Sequence, residues 1–65
     1  MKVYRKMGQE KEFLFEGTEK ECNKFIVDDY TSRGEKSYYW RSWINEDNEK
    51  VIDYGSWTIF YFLVD

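Results

Sequence analysis

The segment Trp-Thr-Ile-Phe-Tyr-Phe-Leu-Val, residues 57–64, decides the fold of this chain. It is built of β-branched and aromatic residues with no glycine, proline or charge, which predicts a β-strand. Successive side chains of a strand point to opposite faces. Both faces here are apolar: one carries Trp57, Ile59, Tyr61 and Leu63, and the other carries Phe60, Phe62 and Val64. A strand of this kind needs cover on both sides, so we expect it at the centre of a sheet.

The length and composition of the chain limit its core. Its 65 residues predict a single domain, residues 1–65, near the lower size at which a chain without disulfides folds alone. Aromatic residues make up 22% of the sequence, and a core of this size needs most of them. Either the core is unusually complete, or a partner covers the aromatic surface that the single chain cannot bury.

The charge and the segment lengths predict where the protein resides. The net charge of −3 disfavours non-specific binding to nucleic acid or to anionic membranes. The apolar C-terminal run is much shorter than a membrane-spanning helix, and no apolar signal-peptide segment follows the basic residues near the N-terminus. With Cys22 as its single cysteine, the chain is predicted to be cytoplasmic, without an intramolecular disulfide.

A helix is predicted over residues 18–33. Thr18 and Glu21 have the spacing of a capping box, in which each side chain bonds the backbone N–H of the other residue. Arg33 and Gly34 provide a cation and a residue able to adopt the left-handed conformation, as is common where helices end. One face of this helix is apolar and carries Cys22, Phe25, Ile26 and Tyr30.

The segments before the helix predict a hairpin. Residues 2–7 alternate between apolar and polar side chains, and their lysines favour an edge strand. A turn is expected at 8–10, followed by a strand at 11–16. In that second strand we expect Phe13 and Phe15 on one face and Leu14 on the other.

The segments after the helix predict a three-stranded antiparallel meander. Strands are expected from Ser37 to Asn45, at 50–54 and at 57–64, joined by a polar loop at 45–49 and a turn at Gly55-Ser56. The predicted fold class is therefore α+β. One helix packs on a mostly antiparallel sheet of four or five strands, in the order β-(β)-α-β-β-β.

The residues that usually perform catalysis are scarce. Histidine is absent, which removes the commonest general base, and Cys22 lies on the predicted core face of the helix. The acidic loop at 45–49 lacks the spacing of a calcium-binding loop. We therefore predict no enzymatic activity, no cofactor and no metal site.

The aromatic segment before the loop provides the candidate binding residues. Strand alternation places Tyr39, Arg41 and Trp43 on one face, and Trp, Tyr and Arg dominate the energetics of protein interfaces. In the opposite register Tyr38 and Trp40 would take this role. The leading hypothesis is a non-catalytic module that binds another protein or itself, with a homodimer as one form. The alternative is binding of single-stranded nucleic acid by the same face, through stacking of bases on aromatic rings.

The segment Val-Ile-Asp-Tyr-Gly-Ser-Trp-Thr, residues 51–58, stands before an aromatic strand in a short chain rich in Lys, Glu, Tyr and Trp. In these respects the sequence resembles small orphan accessory proteins of Gram-positive phages and prophages. The resemblance implies a host-takeover or inhibitor role exerted by binding a host protein, of the general kind that includes anti-CRISPR proteins and DNA-glycosylase inhibitors. It assigns no functional residues.

Overall fold

The computed structural model describes all residues from Met1 to Asp65 and has the predicted α+β architecture. Its elements follow in the order β1 (Lys2–Met7), β2 (Glu10–Glu16), α1 (Glu19–Ser32), β3 (Arg41–Ile44), β4 (Lys50–Asp53) and β5 (Ile59–Val64). The five strands form one antiparallel sheet, and α1 packs on one of its faces. The helix is neither long nor apolar enough to cross a membrane.

The sheet order is β2-β1-β5-β4-β3. The central position of β5 confirms the prediction made from its two apolar faces. The prediction of an edge strand at residues 2–7 was wrong, because β1 pairs with β2 on one side and with β5 on the other. The lysines of β1 lie on a face of the sheet instead, and the two edges are β2 and β3.

Helix α1 begins and ends at the predicted signals. Thr18 Oγ1 accepts a hydrogen bond from the backbone N–H of Glu21 at 3.2 Å, and Glu21 Oε1 accepts one from the N–H of Thr18 at 2.9 Å. At the other end Arg33 is the C-cap residue, and Gly34 has a φ of +80°, a conformation that L side chains rarely adopt. The capping box is therefore present.

Thr18→Ala is expected to lower the free energy of unfolding by about 1 kcal/mol, because it leaves the N–H of Glu21 without its acceptor. Urea denaturation followed by circular dichroism measures the change. Thr31→Ala in the same helix is the matched control, since the side chain of Thr31 makes no capping bond and alanine is the better helix former. Equal losses in the two variants would contradict a role for the cap.

The core lies between α1 and one face of the sheet. The predicted apolar face of α1 contributes to it: Cys22, Ile26 and Tyr30 are buried, and Phe25 packs against them. From β5 the alternate residues Ile59, Tyr61 and Leu63 point toward the helix. The remaining buried members of this cluster are Val3, Ile52 and Tyr54.

An irregularity in the β1–β2 ladder changes the predicted faces of β2. Val3 pairs with Phe15, whereas the next residue, Tyr4, pairs with Phe13, so β2 contains one extra residue at this point. Phe15 therefore packs toward the core and stacks on Phe25, while Phe13 lies with Tyr4 on the opposite face. The prediction that Phe13 and Phe15 share a face was wrong. Leu14 packs against the core rather than away from it.

Two strands begin later than predicted. β3 begins at Arg41, not at Ser37, and Tyr38 instead bonds the carbonyl of Tyr54 through its N–H, at 3.1 Å. β5 begins at Ile59, not at Trp57. The hydroxyl of Ser56 accepts bonds from the N–H groups of the second and third residues after it, at 3.3 and 3.1 Å, which holds a turn where the strand was expected.

Candidate functional site

The sheet face opposite α1 is not covered by any element of the chain. We call it the open face. The strand registers place side chains of all five strands on it: Phe13 of β2, Tyr4 and Lys6 of β1, Phe60 and Phe62 of β5, Val51 of β4, and Arg41 and Trp43 of β3. Its members alternate with the residues that point into the core.

Aromatic side chains dominate the open face. Trp43 and Phe60 meet edge to face, with ring centroids 6.4 Å apart, and Tyr4 meets Phe13 in the same way at 5.6 Å. A shallow depression of about 410 Å³ lies beside Trp43 and is also lined by Trp57. Aromatic pairs of this geometry add stability beyond the area that they bury. The depression is open to solvent, and most of the residues that line it are hydrophobic.

The three tryptophans are poorly buried. The exposed fractions of Trp40 and Trp43 are 43% and 41%, and Trp57 is 96% exposed. The residue pattern had placed Trp57 on the apolar strand 57–64, and the turn at Ser56 removes it from there. The core takes its aromatic rings from tyrosine and phenylalanine, and all three tryptophans remain outside it. Exposed apolar patches of this kind are typical of interaction sites.

A buried carboxylate organises the predicted binding residues. Asp53 is 3% exposed, and its Oδ2 accepts hydrogen bonds from the Tyr39 hydroxyl at 3.0 Å and from Arg41 Nη2 at 2.9 Å. The N–H of Gly55 donates to its Oδ1 at 3.0 Å. The Arg41 guanidinium lies 5.5 Å from the ring centroid of Tyr39 and 5.3 Å from that of Trp43. The structure thus brings Tyr39, Arg41 and Trp43 together.

Hydrogen bonds favour the ionised form of the Asp53 carboxylate. Burial by itself would raise the pKa of Asp53, but the bonds from Gly55, Arg41 and Tyr39 outweigh it, so the pKa is lowered. The same bond to Asp53 raises the pKa of Tyr39. Asp53 was missed in the sequence, where its signal is a single carboxylate inside the apolar segment 51–54.

Tyr38 and Trp40, the candidate binding residues of the opposite register, lie outside the group around Asp53. Tyr38 is 84% exposed and packs beside Gly55, next to a depression lined by Glu35 and Lys36. Trp40 stands directly before β3 and does not stack on another ring. Neither residue belongs to the group around Asp53.

Basic side chains lie among the aromatic rings. Lys11 Nζ is 4.3 Å from the ring centroid of Phe62 and pairs with Glu49 at 2.6 Å, an ion pair that lowers the pKa of Glu49. Lys2 and Lys6 of β1 share the open face and form no ion pair within the chain. The role of Lys11 has no local sequence signal, because its partners are far along the chain.

A second polar cluster lies on the helix side and joins α1 to the sheet. Asp29 Oδ2 accepts hydrogen bonds from Arg5 at 2.8 Å, Arg33 at 2.6 Å and the Tyr61 hydroxyl at 2.6 Å. Arg33 also bonds Glu35 at 2.9 Å and the hydroxyl of Tyr61 at 2.9 Å. Each charge in this cluster therefore has an opposite charge within contact.

The ionisation of the cluster follows from these contacts. Burial alone would raise the pKa of Asp29, but the bonds from Tyr61, Arg33 and Arg5 lower it overall. Burial and the bond to Asp29 raise the pKa of Tyr61. The Asp29 carboxylate accepts three hydrogen bonds and Tyr61 stays neutral. This arrangement is suited to holding α1 against the sheet rather than to proton transfer.

The acidic loop and the cysteine have structural partners. Asn45 Oδ1 accepts bonds from the N–H groups of Asp47 at 3.1 Å and Glu49 at 2.9 Å, which closes the loop between β3 and β4. No three His, Cys, Asp or Glu side chains are grouped as they would be in a metal site. Cys22 is a buried free thiol, 3.5 Å from the carbonyl of Met1.

Comparison of this chain with protein-family models, with curated proteins and with solved structures finds no match.

Proposed function

We propose that this chain is a non-catalytic protein-interaction module that binds another protein through its open face. The observation that carries the proposal is the uncovered aromatic surface formed by Trp43, Trp57, Phe60 and Phe62, on the side of the sheet that α1 does not reach. An apolar surface that a small domain leaves outside its core is stabilised when a partner covers it.

The chemistry of this surface matches that of protein interfaces. Trp, Tyr and Arg are the residues most enriched among those that carry binding energy, and Tyr39, Arg41 and Trp43 form one contiguous group. Arg41 is already paired with Asp53, so a partner does not have to supply a countercharge. The apolar centre is bordered by lysines, which gives the arrangement of an apolar core with a polar rim.

The surface is also held in place before a partner arrives. The open-face side chains of the strands stand on paired backbone, and Asp53 holds Arg41 and the neighbouring Tyr39 by hydrogen bonds from a buried position. A side chain that is already ordered loses less conformational entropy on binding. We therefore assign Tyr39, Arg41 and Trp43 as contact residues and Asp53 as the residue that positions them.

The proposed setting is the cytoplasm, where a single unpaired thiol such as that of Cys22 stays reduced. The resemblance to phage and prophage accessory proteins makes a host protein the proposed partner class. The module would act by occupying a surface of that protein.

Trp43→Ala and Trp57→Ala are each expected to weaken partner binding about tenfold or more, because both remove large apolar contacts at the depression. The test is capture from a bacterial host lysate on immobilised protein, identification of the captured protein, and titration of that protein in purified form.

Tyr38→Ala is the matched control, since it removes an exposed ring that lies outside the open-face group. Its affinity should equal that of the parent chain. If both tryptophan variants bind as the parent does, or if Tyr38→Ala alone weakens binding, the open face is not the contact surface.

One observation favours a second candidate function, the binding of single-stranded nucleic acid. Lys2 and Lys6 lie unpaired on the same face as the aromatic rings, so bases could stack while the lysines contact phosphates. A fluorescent twelve-nucleotide thymidine oligomer tests this candidate. A complex that weakens steeply as salt rises from about 50 to about 200 mM supports it, whereas an aromatic protein contact should change little over that range.

A further inference from the structure

The two edges of the sheet differ in how well they are protected against pairing with another strand. β2 carries four charged residues and the extra residue in its ladder, features that discourage edge-to-edge contact. β3 has the sequence Arg-Ser-Trp-Ile, with no lysine, no proline and no bulge, and all four of its residues are exposed. The β3 edge is short and carries one charge, Arg41, so it is less protected than the β2 edge.

The backbone groups on this edge can be assigned from the ladder. Asn45 donates its N–H to the carbonyl of Glu49, so this pair and every second pair of the β3–β4 ladder exchange hydrogen bonds. Arg41 and Trp43 then direct their N–H and C=O groups toward β4. Ser42 and Ile44 direct theirs away from the sheet, where the chain provides no partner. An extended strand is the protein segment that complements these groups.

We propose that the β3 edge pairs with β3 of a second copy of this chain, antiparallel and centred on Ser42. This edge adjoins the open face and shares Arg41 and Trp43 with it, but the pairing is made by the outward backbone groups of β3, so the inference does not rest on the proposed function. The two sheets join edge to edge into one sheet of ten strands, about a two-fold axis perpendicular to it.

The side chains of β3 complement themselves in this register. Residues at equal distances on either side of Ser42 stand opposite each other. Arg41 then faces Trp43 of the second copy on the open-face side, and it already lies against its own Trp43. On the other side Trp40 faces Ile44, and both are exposed in the single chain. Each protomer thus covers apolar surface of the other.

The register also accounts for the free backbone groups. Ser42 pairs with Ser42 of the second copy, and Ile44 pairs with Trp40, which gives about six backbone hydrogen bonds between the chains. A copy displaced by one residue would place Arg41 and Trp43 on the wrong faces. In the assembled form the two open faces lie side by side on one surface, which presents two binding sites in a fixed arrangement.

Sedimentation velocity of the intact chain, from about 1 to about 500 µM, tests the proposal over the range expected for small interfaces. The expected result is a monomer–dimer equilibrium with no larger species. Ser42→Pro removes the outward N–H at an edge position that tolerates proline, and it should leave a monomer at every concentration. Ser42→Ala keeps that N–H and should dimerise as the parent chain does.

Ile44→Lys provides a second variant in case proline disturbs β3, because Ile44 is 61% exposed and its replacement leaves the core intact. It should also be monomeric, with an unchanged circular dichroism spectrum. In the parent chain, hydrogen exchange of the Ser42 and Ile44 amides should slow as concentration rises.

The outcomes separate this interface from the open face. Trp57→Ala, which is expected to weaken partner binding, should leave dimerisation unchanged. A parent chain that stays monomeric at about 500 µM overturns the β3 interface. So does a dimer that survives both Ser42→Pro and Ile44→Lys, or one that is lost in Trp57→Ala.

Discussion

Asp29→Ala is expected to lower the free energy of unfolding by about 3 kcal/mol. The Asp29 carboxylate is 17% exposed and accepts hydrogen bonds from two guanidinium groups and from Tyr61. Its removal leaves Arg5 and Arg33 as neighbouring positive charges and Tyr61 without its acceptor. Unpaired polar groups at the junction of α1 and the sheet cost more than the loss of a surface contact. Urea denaturation at neutral pH measures the effect.

The adjacent residue provides the control. Asp28 also forms an ion pair with a basic side chain, Lys24, at 2.9 Å, but both members are largely exposed. Asp28→Ala should therefore change the free energy of unfolding by no more than about 0.5 kcal/mol. The loss in the free energy of unfolding is thus expected to be several-fold larger for Asp29→Ala than for Asp28→Ala, although both aspartates are in ion pairs. Equal losses would show that the cluster around Asp29 does not stabilise the fold.

The stability of the chain is expected to be nearly constant between about pH 5 and pH 9, and to fall on both sides. On the acid side, the pKa values of Asp29 and Asp53 are lowered in the folded state. Their stabilisation is then present above the unfolded pKa of about 3.9 and is lost as the pH falls through the lower folded values. The fall should begin near pH 4.

On the alkaline side, the pKa values of Tyr39, Tyr54 and Tyr61 are raised. The unfolded chain ionises its tyrosines first, so the stabilisation is complete below about pH 10 and is lost as the pH rises through the higher folded values. Thermal unfolding midpoints at intervals from about pH 3 to about pH 11 measure both limits.

Asp53→Asn provides the test for the acid limit. The asparagine cannot ionise, so this variant should be less stable at neutral pH and should lose less stability on acidification than the parent chain. If the loss of stability on acidification is the same in Asp53→Asn as in the parent chain, Asp53 does not contribute to the acid limit.

The sequence predicts best those elements whose signals are local. Thr18, Glu21 and Gly34 mark the ends of α1 through bonds and backbone angles that involve residues a few positions apart, and the structure confirms them. The central place of β5 was also predictable, because a strand that is apolar on both faces is stable only with neighbours and cover on both sides.

The elements that the sequence did not predict depend on register between distant segments. The faces of Phe13 and Phe15 are set by one extra residue in the β1–β2 ladder, which strand alternation alone does not reveal. The edge position predicted for residues 2–7 was wrong because β1 pairs with the distant β5 as well as with β2.

In the candidate site too, local patterns were predictable from the sequence and contacts between separate strands were not. Alternation grouped Tyr39, Arg41 and Trp43, and the structure brings these side chains together. It did not identify Asp53, whose hydrogen bonds reach across the β3–β4 hairpin, or the position of Trp57, which depends on a side-chain bond made by Ser56. These contacts form only when the strands are aligned.

The position of β5 has a consequence for the order in which the protein can form. β1 pairs with β2 on one side and with residues 59–64 on the other, so the pair Val3–Leu63 forms only after β5 has been synthesised. The β1–β2 hairpin, α1 and the β3–β4 hairpin can form from the emerging chain before β5. The sheet closes by one late, long-range pairing, which predicts slower folding than in a helical domain of equal length.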